Sequence, residues 1–444
     1  MKRFFYIIIL PLLLGLTACD NSSSSSSTAK SSVAQLSAFA FAKNDSMPGL
    51  AKAVFVVEER IDTGLVWNPD SILYGTRLDS VVPRFTFAAT PGSAYLRTPD
   101  TLCVLTGYDT LNFTKQPIYL TIRSADGSNT KTYQIAASVH QVDPDLYSWE
   151  QITDSIYPLD DSEQRVVLLH DQFVMVKSNG FELRAYQSAG GENWIDLGEP
   201  TGLPYGTRVR QIISDGDSLF YGQGDTIYTS TDAIQWTAHG TNYPVATMVM
   251  YWNSEVWALV NNSCQQLAVW EGDSLRTTNL IAIGDDFPIS DFAAVCFTST
   301  SERERAMVIG GFSENGRSLN TRWNIEYSRH IPDGGYRMEE FSIDRPQFTG
   351  ITGASVIWYN DQLLMFGGVD KNMSYYGREI LISNDEGLNW TAADSTKNRL
   401  PEVYQARQKQ NTIVRGNDIY LFGGQDAFHT YSDVYRGHLN SIDW

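Results

Sequence analysis

Three polar segments in the last third of the chain hold the side chains best suited to gripping a ligand. They read SENGRSLNTRW (313–323), DKNMSYYGRE (370–379) and QDAFHTYSD (425–433). Trp323, Tyr375, Tyr376, Phe428, His429 and Tyr431 lie in them beside Asn, Arg and Asp. Flat aromatic faces next to polar donors and acceptors suit sugar rings, which offer apolar faces and hydroxyl edges. The competing role for the same residues is packing at the edge of a repeated unit. Each segment follows a polar turn, an apolar run and a glycine pair: ERAMVIGGF (304–312), DQLLMFGGV (361–369) and NDIYLFGGQ (417–425). The pairs begin at Gly310, Gly367 and Gly423, 57 and 56 residues apart. A fixed period of this size signals stacked supersecondary units. The runs are too short for helices and rich in strand formers, so they predict buried strands.

Other candidate chemistry is sparse. The six histidines, His140, His170, His239, His330, His429 and His438, show no metal-ligand spacing. No phosphate loop, Ca²⁺ loop or nucleophile elbow is present. Arg208, Arg210 and Arg305 are the arginines available for a carboxylate-binding triad, but nothing in the sequence fixes their direction. We therefore expect no catalytic residue, metal or cofactor. After Cys19, discussed below, Cys103, Cys264 and Cys296 remain. They form no disulfide framework, and only a Cys264–Cys296 bridge between neighbouring units is conceivable.

The elements that would position these side chains form a longer series. RAYQSAGGENWIDLG (184–198) aligns with TIYTSTDAIQWTAHG (226–240), with Trp194 over Trp236. LISNDEGLNWTAAD (381–394) is the same unit with one extra residue. Six units are expected: 165–204, 207–243, 245–280, 290–345, 350–397 and 403–444. Four short strands per unit fit propeller blades. In an antiparallel four-stranded blade the loops after strands two and four share one face, so the three polar segments belong to one rim. The last unit lacks an outer strand, and LYSWEQITD (146–154) resembles NWIDLG and QWTAHG. Residues 147–153 are predicted to complete it, which leaves no open edge. The alternative is that Ser441–Trp444 forms that strand.

Before the propeller, residues 34–142 predict a small β-sandwich. Its strand candidates are AVFVVEE (53–59), RFTFAA (84–89), IYLTIRS (118–124) and KTYQIAASV (131–139). Asp126-Gly127 has the chemistry of a two-residue hairpin turn. The N-terminus is a processing signal: Lys2 and Arg3, then an apolar stretch from Phe4 to Leu16 too short to span a bilayer. Leu16-Thr17-Ala18-Cys19 resembles a bacterial lipobox, in which the peptide 1–18 is removed and Cys19 is lipidated. The Ser22–Ser27 run suits a flexible tether over 19–33. A net charge of −18 without a basic run argues against nucleic acid, whose binding rests on neutralising phosphates.

Two local resemblances carry further expectations. Glycine pairs closing apolar strands resemble kelch repeats in the last three units. Ser383-Asn384-Asp385-Glu386-Gly387-Leu388-Asn389-Trp390 resembles the Asp-box, a structural turn of sialidases and of many non-catalytic propellers. At the scale of the chain, LNFTKQPIYLTIRSADGSNTKTYQIAASV (111–139), with the propeller behind it, is similar to uncharacterised Bacteroidetes surface lipoproteins. The resemblance covers residues 34–444 and implies an all-β chain: a small immunoglobulin-like sandwich followed by a six-bladed kelch-like β-propeller over 146–444. The expected function is a non-catalytic binding or scaffolding lipoprotein of the cell envelope, in the outer membrane, with a glycan as ligand. The expected partners are the membrane, through the lipid, and a glycan or envelope protein. The alternative is a propeller glycosidase, sialidase-like enzyme or lyase, which would need two carboxylates, or arginines with Tyr and Glu, converging at the pore mouth.

Overall fold

The computed structural model describes residues 29–105, 107, 110–154, 163–262, 264–272, 274–277, 283, 286–330, 335–342, 350–394 and 398–440. Cys19, the peptide before it, the Ser22–Ser27 run and Ser441–Trp444 lie outside the described residues. The chain divides into two units, Met1–Gln141 and Val142–Trp444.

The first unit is a β domain. A six-stranded sheet runs in the order Val56–Glu58, Thr63–Trp67, Thr130–Ile135, Ile118–Arg123, Ser93–Arg97 and Leu102–Val104. Thr63–Trp67 and Thr130–Ile135 pair in parallel. A second sheet pairs Leu36–Phe41 with Pro83–Phe87. Strand Ile118–Arg123 shows why these segments form strands. Ile118, Leu120 and Ile122 are buried and alternate with more exposed residues, the period-two pattern of a sheet with one dry face. They share a core with Phe39, Phe41 and Phe113. The Asp126 turn is longer than the dipeptide suggests. Arg123 pairs with Thr130, so six residues connect the strands. Asp126 Oδ1 accepts the Ser128 N–H at 2.9 Å and both flanking serine hydroxyls. Three donors on one carboxylate oxygen favour the wider turn.

The second unit is a β-propeller. Sheet I holds Glu163–Leu169, Gln172–Ser178, Leu183–Ser188 and Ile195–Gly198. Sheet II is six-stranded, from Ile213–Ser214 to Leu275–Thr277. Sheets III, over 293–342, and IV, over 355–392, have four strands each. Sheet V orders Asn411–Arg415, Asp418–Gln425, Thr430–Leu439 and, from the other end of the unit, Tyr147–Thr153. That last strand pairs antiparallel from Leu439↔Tyr147 to Val434↔Thr153. Gly437 faces Trp149, and a Cβ there would run into the indole.

Apolar seams join each sheet to the next and the last to the first. Val174 and Tyr221 meet between I and II, and Trp257 and Val308 between II and III. Met307 and Met365 fill the III–IV seam, and Phe366 and Leu421 the IV–V seam. Phe173 meets Phe422 between I and V, ring centres 4.9 Å apart, which closes the circle.

The glycine pairs are where the backbone tolerates no side chain. Gly310 and Gly423 have φ of +64° and +51°. A Cβ on Gly310 would strike the Ile351 carbonyl, and one on Gly423 the Gln164 amide. Cys296 takes part in no disulfide, so the conceivable Cys264–Cys296 bridge is not formed.

Candidate functional site

The six aromatic and histidine candidates separate in space. Trp323 is 6 % exposed on strand Thr321–Tyr327, packed against Phe287, with its indole N–H toward the Asp286 carbonyl at 3.3 Å. It belongs to the II–III seam and not to the rim surface. Tyr376 is half-buried against the III–IV seam, and burial, then Asp370, push its pKa up. Tyr375, Phe428, His429 and Tyr431 gather around one carboxylate, Asp426. The Tyr431 hydroxyl donates to Asp426 Oδ2 at 2.5 Å, and the His429 ring lies 3.3 Å from both its oxygens. Burial, then the Asp426 charge, raise the Tyr375 pKa. Phe428 is 87 % exposed at the loop tip. Burial disfavours an ionised Asp426, but hydrogen bonds from Tyr431, from the Phe428 and His429 backbone and from the His429 ring outweigh it. They hold its pKa down to about 2.

The arginines also divide. Arg305 is engaged by Glu326 and Glu386, away from the axis. Arg208 and Arg210 line the central channel together with Arg165, Glu163 and Asp291. This channel, of about 680 Å³, runs between the innermost strands of the sheets. The charged groups sit where those strands begin, on the same face as the loops after the glycine pairs. Gln408 and Gln425 exchange backbone hydrogen bonds of 2.9 and 2.8 Å, which ties the Asp426 loop to the channel mouth.

Three residues in equivalent places, Asp291, Gly353 and Lys409, form the mouth. Each precedes an innermost strand and each is left-handed, with φ of +51°, +66° and +60°. Such backbone costs about 1–3 kcal/mol at a residue that is not glycine. Here it is held by a chain of contacts. The Gly353 N–H donates to the Asp291 carbonyl at 2.8 Å, and the Lys409 N–H to the Gly353 carbonyl at 2.6 Å. Arg210 closes the loop, with Nη1 on the Lys409 carbonyl at 2.7 Å and Nε 3.3 Å from Asp291 Oδ1. Lys409 Nζ lies 3.6 Å from Asp291 Oδ2.

Asp291 is therefore shared by two cations. Arg165 has no carboxylate partner among the described residues; its Nε donates to the Ile212 carbonyl at 3.0 Å. Burial, then the neighbouring Arg210, lower its pKa to about 10. Burial also lowers Arg210, against the attraction of Asp291. Two like charges held together in a partly dry wall repel each other, and an anion between them relieves both penalties. Arg165, Asp291 and Lys409 escaped the sequence reading because each is a lone charge; the available signal was their place at the start of an innermost strand.

The fold and this mouth define a β-propeller with an electropositive channel entrance, carried behind an N-terminal β domain. The chain belongs to the DUF6242 family. The DUF6242 beta propeller domain matches residues 143–444, and the domain of unknown function (DUF6242) N-terminal domain matches residues 24–136. No curated protein matches the chain. Among solved structures, "Structure of YjhT" is similar at 12% identity and a TM-score of 0.45, over 64% of this chain and 96% of that one.

Proposed function

We propose that this chain is a non-catalytic binding lipoprotein of the cell envelope, probing acidic glycans through the mouth of its propeller channel. In this reading the propeller is six-bladed and kelch-like, and the N-terminal domain is an immunoglobulin-like spacer. Sheet II counts as two blades. Thr226–Thr229 pair with Thr237–Gly240 in one, and Val245–Trp252 with Glu255–Val260 in the next, joined where Gly224 meets Val245. The lipobox ending at Cys19 and the serine run support a lipid anchor in the outer membrane.

The observation that carries the ligand class is the Arg165–Arg210 pair in the channel wall. A chain of net charge −18 concentrates Arg165, Arg208, Arg210 and Lys409 there against Glu163 and Asp291. A carboxylate on a sugar would sit on the guanidinium pair, with the rest of the glycan toward Tyr375, Phe428, His429 and Tyr431. On an array of acidic and neutral glycans, the full mature chain should retain acidic ones selectively. Arg165→Met with Arg210→Met should lower retention at least ~10-fold, the loss of one charged contact. Equal retention of neutral glycans, or an unaffected double variant, would overturn the proposal.

Glu163 and Asp291 beside the arginines favour a second reading, a glycosidase or lyase acting on the same sugars. Against it, Asp291 is occupied by Arg210 and Lys409, and the channel's Tyr251 lies near the far end of its strand. Release of free sugar from a retained glycan would establish turnover.

A further inference from the structure

A second cavity, of about 180 Å³, lies at the seam between sheets III and IV, away from the channel. Its base is Arg322, 1 % exposed on strand Thr321–Tyr327. The guanidinium lies over the Phe341 ring, 4.5 Å from its centre. Nε, Nη1 and Nη2 are all buried without a hydrogen-bond partner, and so is Nε of the neighbouring Arg305. Burial first, with Arg305 adding to it and Asp385 opposing, lowers the Arg322 pKa to about 10.

Carboxylates line this cavity, but each is engaged by a group other than Arg322, and none of them hydrogen-bonds to its guanidinium. Glu326 and Glu386 hold Arg305, and Glu339 holds Arg337. Asp385 caps its own turn, accepting the Asn389 N–H at 2.7 Å and the Ser383 hydroxyl at 2.9 Å. Gly387 in that turn packs closely on the seam: a Cβ there would strike Met307 Sδ and press more lightly on Arg322 Cδ and Nη1. A buried guanidinium with no acceptor is among the costliest arrangements a protein interior holds. It calls for acceptor atoms in a planar, bidentate array, which a carboxylate supplies.

We propose that the cavity is a second anion site, taking one small free carboxylate between Arg322 and Arg305, over the Asp-box turn of sheet IV. The test uses the full mature chain and acetate, against chloride at equal ionic strength. Acetate should raise the wild-type Tm saturably, by about 2 °C or more. Arg322→Met keeps the stacking volume and removes the unmet donors. It should abolish the acetate shift and, without acetate, melt no lower than wild type. Arg322→Lys, a milder change, should also lose the shift if the methionine variant fails to fold. A wild-type response that is not saturable, or one that survives in Arg322→Lys, would overturn the proposal. So would a folded Arg322→Met that melts several degrees lower in chloride. A response to a glutamate-containing tripeptide but not to acetate would overturn the free-ligand assignment and point to a side chain of a partner. Glycan retention through Arg165 and Arg210 is read separately and should be unchanged in both variants.

Discussion

Arg407 and Arg322 are each 1 % exposed, and both stack on an aromatic ring, yet their polar surroundings are opposite. Arg407 Nη2 lies 3.0 Å from Asp433 Oδ2, and its Nη1 reaches the other oxygen of that carboxylate. Nη1 also donates to the Gly423 carbonyl at 3.0 Å, and Nε to the Gln405 carbonyl at 2.9 Å. The guanidinium lies between Tyr404 and Tyr431, 4.2 and 3.9 Å from their ring centres. Burial lowers the Arg407 pKa, but Asp433 and the surrounding tyrosines outweigh it and the net shift is upward. At Arg322 burial wins. A closed network of this kind pins one loop arrangement, here that of the rim; at Arg322 the donors stay unmet.

The largest effect should come from making the first site resemble the second. Asp433→Ala leaves Arg407 buried with its charge unpaired, and should cost about 3–5 kcal/mol in urea unfolding. Arg407→Met should cost a similar amount by stranding Asp433. Arg322→Met should cost nothing. If the two arginine variants were equally destabilised, the contrast between closed and open networks would fail.

Gly423→Ala attacks the same network through the backbone. Its φ of +51° disfavours a side chain, and the new Cβ would meet the Gln164 amide and the Tyr431 carbonyl. The Gly423 carbonyl that serves Arg407 would have to move. A loss of about 1–3 kcal/mol is expected from the strain and the overpacking together. A variant as stable as wild type would show that Arg407 does not depend on that carbonyl.

Tyr431→Phe preserves the ring over Arg407 and removes the hydroxyl on Asp426. One hydrogen bond of this kind is worth about 1 kcal/mol. The sharper readout is the acid limb. Asp426 titrates at about 2 in the fold against an ordinary 3.8, so its contribution is complete above 3.8 and disappears as pH falls toward 2. Without the Tyr431 donor its pKa should move up toward the ordinary value, visible in a carbon-detected NMR titration. An unmoved Asp426 would assign its low pKa to the backbone donors and the His429 ring.

These sites were unequally legible in the sequence. The Asp-box turn was readable because its side chains bond within a few residues. Trp390 donates to the Gly387 carbonyl and Trp194 to the Gly191 carbonyl, at 3.1 and 2.8 Å, both three residues apart. Trp236 does the same to the carbonyl of Ala233, which takes a φ of +65° where the others use glycine. The glycine pairs were readable for a related reason, since positive φ leaves a mark on residue type. Arg407–Asp433 and Arg210–Asp291 were not. Their partners lie 26 and 81 residues apart: the first pair meets through the folding of sheet V, the second only across the channel mouth between different sheets. Trp323 misled for another reason. A tryptophan at the end of a polar segment reads as part of the loop, while its backbone already belongs to the next strand, opposite Val308.

The smallest structural effect separates the rim's packing from its proposed use. Phe428 is 87 % exposed at the tip of the Asp426 turn, its ring centre 6.4 Å from that of His429. Truncating it removes almost no buried surface, so Phe428→Ala should change stability by less than about 0.5 kcal/mol. The turn should persist, because Asp426 Oδ1 receives the residue 428 backbone N–H at 2.7 Å and that of His429 at the same distance. If the rim contributes a stacking face to a glycan seated on Arg165 and Arg210, the variant should weaken retention several-fold while its melting curve overlays the wild type. If retention is also unchanged, the ligand ends inside the channel mouth, and the exposed ring has no part in holding it.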